Sequence, residues 1–173
     1  MVSLFVILVA VYSAALVVRD MYELLKERRK IGPESRAAFI VVLCAMCALW
    51  MCWFLLCKND PYRIELPDPI RWTGLVVTIT GTILAVGALA QLRGVEGIDH
   101  LVTHGLFRRI RHPMYLGFIL WIAGWSVFHG ASVGIIAGLP GIASILWWRH
   151  LEDRRLTVQF GSAYGEYRKQ TWF

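Results

Sequence analysis

Two polar segments carry residue types that can do chemistry, and both border long apolar runs. The first is Leu101-Val102-Thr103-His104-Gly105-Leu106-Phe107-Arg108-Arg109-Ile110-Arg111-His112-Pro113-Met114-Tyr115-Leu116-Gly117. Proline suits the first turn of a helix, because the N–H it lacks would be unpaired there. The amides after Pro113 then form an anion site at a helix N-terminus, able to receive a carboxylate or phosphate. Arg111 and His112 add donors beside it. The plainer reading of Arg108, Arg109 and Arg111 is a cationic anchor for lipid headgroups. The second segment is Arg149-His150-Leu151-Glu152-Asp153-Arg154-Arg155-Leu156, followed by Phe160-Gly161 and Tyr164-x-x-Tyr167. Its adjacent carboxylates can accept from hydroxyls or balance a cation. The plainer reading is a solvated helix face, with local pairs to Arg149, Arg154 and Arg155 worth a few tenths of a kcal/mol each.

Other chemistries find less support. His100 and His104 stand four apart, with His112 near, a spacing that binds metal on a helix. Gly97 and Gly105 point to a loop there instead, and no H-E-x-x-H is present, so no metal is expected. Cys44, Cys47, Cys52 and Cys57 all lie in or at the end of one apolar run, and read as small packing residues. No P-loop and no G-x-G-x-x-G after a strand occurs, which excludes the soluble nucleotide-binding folds as templates.

The elements that position these segments are membrane helices. The chain is 57% hydrophobic and 17% charged, against about a quarter charged in soluble domains. Residues 1–18, 37–57, 72–92 and 113–148 contain no Asp, Glu, Lys or Arg. Each of the first three fits one spanning helix of roughly 20 residues, and the fourth fits two. Arg19, Lys26, Arg28, Arg29 and Lys30 follow the first run, and no basic region precedes it, so it reads as a retained helix and not a cleaved signal. Lys and Arg number six in residues 19–36, four in 93–114 and five in 149–173, against three in 58–71. Basic loops face the cytoplasm. Five transmembrane helices result, with the N-terminus outside and the C-terminus cytoplasmic. The last two, about 113–128 and 133–148, form a tight hairpin around His129–Ser132. Gly134-x-x-x-Gly138 in the second allows close helix approach. Residues 149–173 extend the last helix into the cytoplasm. The expected fold is a single all-α integral membrane domain over residues 1–173, with N-terminal membrane helices in 1–90 and a catalytic core in 91–173.

Taken together, the two polar segments resemble the isoprenylcysteine carboxyl methyltransferase family, itself similar to the membrane phospholipid methyltransferases. The family pattern runs roughly L-V-T-x-G-x-(Y/F)-x-x-x-R-H-P-x-Y-x-G, then a helical hairpin, then E-(E/D)-x-x-L-x-x-x-F-G-x-x-Y-x-x-Y. Leu101–Gly117 and Glu152–Tyr167 supply both halves in order. The resemblance covers about residues 91–169. It implies S-adenosyl-L-methionine as cofactor. By position, its contacts would be Asp99, His100, Leu101, Val102, Phe107, His112, Pro113, Met114, Tyr115 and Glu152, with Gln91 reached by a one-residue shift. Phe107 stands where a Tyr is common. The catalytic positions carried over are Arg149, Glu152 and Tyr115, although Arg149 lies one residue closer to Glu152 than the pattern has it. The implied acceptor is lipophilic, a small molecule or a prenylated substrate entering from membrane lipid. No nucleic-acid or obligate protein partner is expected. Three other readings stay open: a phospholipid N-methyltransferase, an NADPH-dependent sterol or isoprenoid reductase, and a non-enzymatic membrane subunit.

Overall fold

The structure is a computed structural model and describes residues 2–31, 35–92 and 100–173. Among the described residues it is all-helical: α1 Val2–Glu27, α2 Arg36–Lys58, α3 Asp68–Leu92, α4 Pro113–His129, α5 Ser132–Phe160 and α6 Ser162–Gln170, with a 3-10 turn at Gly105–Arg108 before α4. Backbone amides in lipid must be satisfied within their own segment, which is why the apolar runs become helices. Four of these, α1, α2, α3 and α5, are long and apolar enough to cross a bilayer. With 17 residues, α4 is the short one. At 1.5 Å per residue it covers about 25 Å, less than the roughly 30 Å hydrocarbon core.

The closest backbone approach is between α3 and α4. A Cβ on Gly117 would lie 2.5 Å from the Gly81 carbonyl oxygen, and one on Gly81 would lie 2.6 Å from that of Gly117. Two turns along, Gly74 and Gly124 repeat the arrangement at 2.7 and 2.6 Å. Between them sits the buried Thr78, whose hydroxyl returns to the Gly74 carbonyl at 2.9 Å. Small residues bring helices together in lipid because dispersion and close packing must replace the missing hydrophobic drive. The expectation placed such packing in the helix after His129. Gly134 and Gly138 of α5 do meet close neighbours, Cys57 Sγ and Trp53 of α2 among them, yet the glycine-on-glycine pairs belong to α3 and α4.

The core fills the space between α1, α2, α4 and α5 with Tyr12, Leu49, Trp53, Leu56, Cys57, Phe118, Ile122, Ile145 and Trp148. At the far end from α6, the α2–α3 loop is more than a connector. Asp60 is buried. Its carboxylate accepts from Tyr62 N at 2.9 Å and from Gly134 N at 2.9 Å. It thereby caps the first turn of α5, which has no side-chain cap of its own. Gly130 makes the α4–α5 turn with a φ of +60°, where a Cβ would strike the Ile64 carbonyl oxygen at 2.2 Å. At the other end, α5 runs on to Phe160, as the C-terminal extension required, and breaks at Gly161 before α6.

Gly117→Ala should destabilise the protein by about 1–3 kcal/mol, because the added methyl meets backbone that cannot give way. Gly165→Ala in α6, with nothing within 4 Å, should be neutral or stabilising by about 0.5–1 kcal/mol. Thermal unfolding of both variants in detergent checks the contrast.

Candidate active site

The two polar segments meet where α4 begins and the second half of α5 passes. Pro113 occupies the first turn of α4, and no side chain caps that helix end. His112, the residue before it, turns its ring away from the helix end and towards α5. Its Nε2 lies 2.8 Å from Asp153 Oδ1. Arg111 Nε donates to the same oxygen at 3.1 Å, and the Tyr164 hydroxyl donates to it as well. The side chains of His112, Arg111 and Asp153 are 3%, 6% and 13% exposed, so this junction is shielded from water. A carboxylate flanked by a guanidinium accepts, so the His112 Nε2 donates to it. The main chain is tied down too. Arg111 N donates to Trp172 O at 3.1 Å, and Trp172 N donates to Arg109 O at 3.1 Å.

This changes the reading of the basic segment. Arg111 was expected to point a free donor at an anion, but its Nε is committed to Asp153. Arg108 and Arg109 remain exposed. The adjacent carboxylates of α5 divide their work, since successive helix residues point about 100° apart. Asp153 takes the Arg111–His112–Tyr164 junction, while the Glu152 carboxylate lies within electrostatic reach of the Tyr115 hydroxyl. Tyr115 is buried, and its ring stacks on His112 with centroids 5.8 Å apart.

The loop side is built around small and apolar contacts. Val102 and Phe107 are buried on Ala88 of α3, with Met114 and Leu92 packed against them. The Phe107 carbonyl accepts from the Tyr167 hydroxyl at 2.7 Å. Gln91 Oε1 accepts from Leu106 N at 2.9 Å. Gly105, with a φ of +61°, lets that amide approach, for a Cβ there would sit 2.3 Å from Gln91 Oε1. Leu101 is half-buried and His100 exposed at the edge of this group. Asp99 lies outside the described residues. Arg149 is half-buried, its guanidinium 4.7 Å from the Phe173 ring centre. Its Nε is buried without a hydrogen-bond partner among the described residues.

Tyr164 and Tyr167 were part of the second motif but were given no role. Both are buried. Burial and the neighbouring Asp153 raise the Tyr164 phenol, and burial pushes the Tyr167 phenol up to about 12 against the pull of Arg111. Both therefore act as neutral donors that hold α6 against the site. Sequence reasoning gave the charged end of α1 no part in the site. Arg19, read only as the start of a basic flank, and Asp20 and Glu23, given no role, converge on α5. Asp20 accepts from Ser144 Oγ at 2.9 Å and from Trp148 Nε1 at 2.7 Å. Arg19 Nη1 donates to Glu23 at 2.6 Å and its guanidinium lies 4.5 Å from the Trp148 ring centre. The available signal was the acidic pair among the first charges after the apolar run, with Arg19 and Glu23 spaced to pair on a helix.

Residues 70–163 match the phospholipid methyltransferase family. Among curated proteins, the protein-S-isoprenylcysteine O-methyltransferase of Schizosaccharomyces pombe is 33% identical over 79 residues, covering 42% of this chain and 31% of its own. Protein-S-isoprenylcysteine O-methyltransferase A of Arabidopsis thaliana is 31% identical over 109 residues, 54% of this chain and 53% of its own. Methanethiol S-methyltransferase of Pseudomonas deceptionensis is 27% identical over 155 residues, 80% of this chain and 58% of its own. The resemblance read from the two motifs is thus borne out. The chain spans between about a third and three fifths of the length of these relatives. No solved structure matches it.

Asp153→Ala strands Arg111 without its buried partner and should cost about 3–5 kcal/mol of stability, measured by denaturant unfolding in detergent. Tyr167→Phe should cost about 1 kcal/mol for the lost hydrogen bond. Its pH dependence has a definite sign. The folded-state value of about 12 lies above the ordinary tyrosine value near 10, so this contribution is complete below about pH 10 and disappears as pH rises towards 12. Tyr167→Phe should therefore lose less stability than the parent over that interval.

Proposed function

The chain belongs to the phospholipid methyltransferase family, and on that premise we propose that it transfers a methyl group from S-adenosylmethionine to a lipophilic acceptor at the membrane surface. The observation that carries this reading is the convergence of an uncapped helix start at Pro113 with the buried Tyr115 and the neighbouring Glu152 carboxylate.

The residues suit the donor's three chemical features. The amides of Met114 and Tyr115, at the α4 N-terminus, would receive its carboxylate, helped by the dipole of that helix. Glu152 would accept from its ribose hydroxyls, and a carboxylate is the strongest neutral-pH acceptor for that task. The buried Tyr115 ring offers an electron-rich face to a cation. Gln91, Leu101, Val102 and Phe107 bracket the site from the loop side, with His100 at its edge, and Asp153 fixes His112 and so the entry to α4. When bound, the donor supplies an electrophilic methyl on a sulfonium. The chain's own task is to hold an acceptor in line with it and exclude water, and no strong base is needed for a carboxylate or thiolate acceptor. Arg149, whose buried Nε has no hydrogen-bond partner among the described residues, suits an anionic acceptor group.

The positive-inside rule supplies the proposed topology: N-terminus outside, C-terminus cytoplasmic, and α4 as a short additional crossing paired in a hairpin with α5. The catalytic core proposed for residues 91–173 rests on α3, whose glycine pairs hold α4. Relatives named for isoprenylcysteine support a prenylated cysteine carboxylate as acceptor. The methanethiol relative, aligned along 80% of this chain, favours a thiol as the second reading.

Glu152→Ala and Tyr115→Ala should each weaken donor binding at least about tenfold, the effect of losing a charged or buried hydrogen bond. Calorimetry on purified protein measures it, and unchanged affinity in both variants would sink the site assignment. Labelled donor incubated with host lipid extract, a farnesylcysteine analogue and a short-chain thiol, followed by mass analysis, identifies the acceptor. Binding of NADPH in place of the donor would point to a reductase. Donor binding with no methyl transfer to any of them would point to a non-enzymatic subunit.

A further inference from the structure

Glu23 of α1 is a buried carboxylate that the proposed reaction leaves unused. It is 4% exposed and holds two guanidiniums. Arg19 Nη1 donates to its Oε1 at 2.6 Å, within α1. Arg155 of α5 donates to its Oε2, across the helix interface. Arg155 stands three residues after Glu152, a spacing at which side chains on one helix meet. Glu152 and Tyr115 both lie within its electrostatic reach. The Arg155 Nε is buried and has no hydrogen-bond partner among the described residues. The guanidinium thus has a donor to spare, and two carboxylates, Glu23 and Glu152, stand near it.

We propose that Glu23 is a positioning residue for the donor site: by holding Arg155 towards α1, it keeps the Glu152 carboxylate open to the donor's ribose hydroxyls. The inference rests on the reading of Glu152 as the ribose acceptor. Neutralising Glu23 leaves Arg155 a half-buried charge in want of a partner, a costly state, and the nearest remaining carboxylate on its own helix is Glu152. Capture of Glu152 would occupy the lone pairs the donor needs. Asp20 supplies a built-in comparison. It also ties α1 to α5, but through Ser144 and Trp148.

The test is a double-mutant cycle read by donor affinity per folded molecule, with calorimetry on purified protein and thermal unfolding alongside. Glu23→Gln should weaken donor binding about tenfold. Arg155→Gln should change it less than about threefold, and adding Arg155→Gln to Glu23→Gln should return affinity to within about threefold of the parent. Asp20→Asn should lower the unfolding temperature and leave affinity unaltered. A merely structural role predicts no rescue, and equal affinities for Glu23→Gln and Asp20→Asn; either result overturns the proposal. Should Glu23→Gln not fold, Glu23→Asp, shorter by one methylene, serves the same purpose. A loss of about threefold that Arg155→Gln reverses supports the proposal, and no loss overturns it. Glu152→Ala in the same assay separates the premises. If it leaves affinity unchanged, the ribose reading itself has failed. If it abolishes binding while Glu23→Gln does not weaken it, the positioning role alone has failed.

Discussion

The polar end of this molecule depends on one carboxylate. Asp153 gathers the Arg111 guanidinium, the His112 imidazole and the Tyr164 hydroxyl on a single oxygen. Those three groups come from the lead-in to α4 and from α6, while Asp153 itself is on α5. In a shielded setting such a junction has little tolerance for partial formation, because each unpaired charge would carry its full desolvation penalty. The start of α4, the line of α5 and the docking of α6 are therefore set together. Pro113 can present an uncapped helix end only because the imidazole before it is engaged elsewhere.

A second constraint acts inside the bilayer and has no charge in it. The pairs Gly81–Gly117 and Gly74–Gly124 let the backbones of α3 and α4 nearly touch. That contact carries the Val102–Phe107–Met114 group on Ala88, beside the helix start. The polar junction fixes the start of this short helix, and the glycine seam holds its length against α3.

Much of this was legible in the residues. Charge-free runs located the helices, and Pro113 located the start of α4 because proline's missing donor has one favourable place in a helix. The Gly161 break in α5 was less visible, since the charged stretch around it could have continued as helix. The identities of Glu152 and Asp153 were plain, but their separate partners were not: the choice depends on helix rotation, which neighbouring carboxylates in a sequence do not specify. Likewise the glycines of α3 and α4 lie 36 to 50 residues apart in sequence, and no local pattern says which glycine faces which. The contribution of α1 was hidden for a different reason. Charges just beyond an apolar run look like a topological flank, and only tertiary contact distinguishes Arg19, Asp20 and Glu23 from Arg28 and Arg29, which are exposed.

The shortness of α4 has a consequence for the surrounding lipid. A helix of 17 residues falls several ångströms short of a typical hydrocarbon slab, and hydrophobic mismatch is relieved by thinning the bilayer or drawing polar groups inward. Were α4 to cross the bilayer as proposed, with the site on its first turn, that relief would take the form of a dimple in the membrane surface above it. Acyl-chain length would then be a physical variable of the site, setting how far a water-soluble molecule must descend and how little an embedded one must rise for the two to meet.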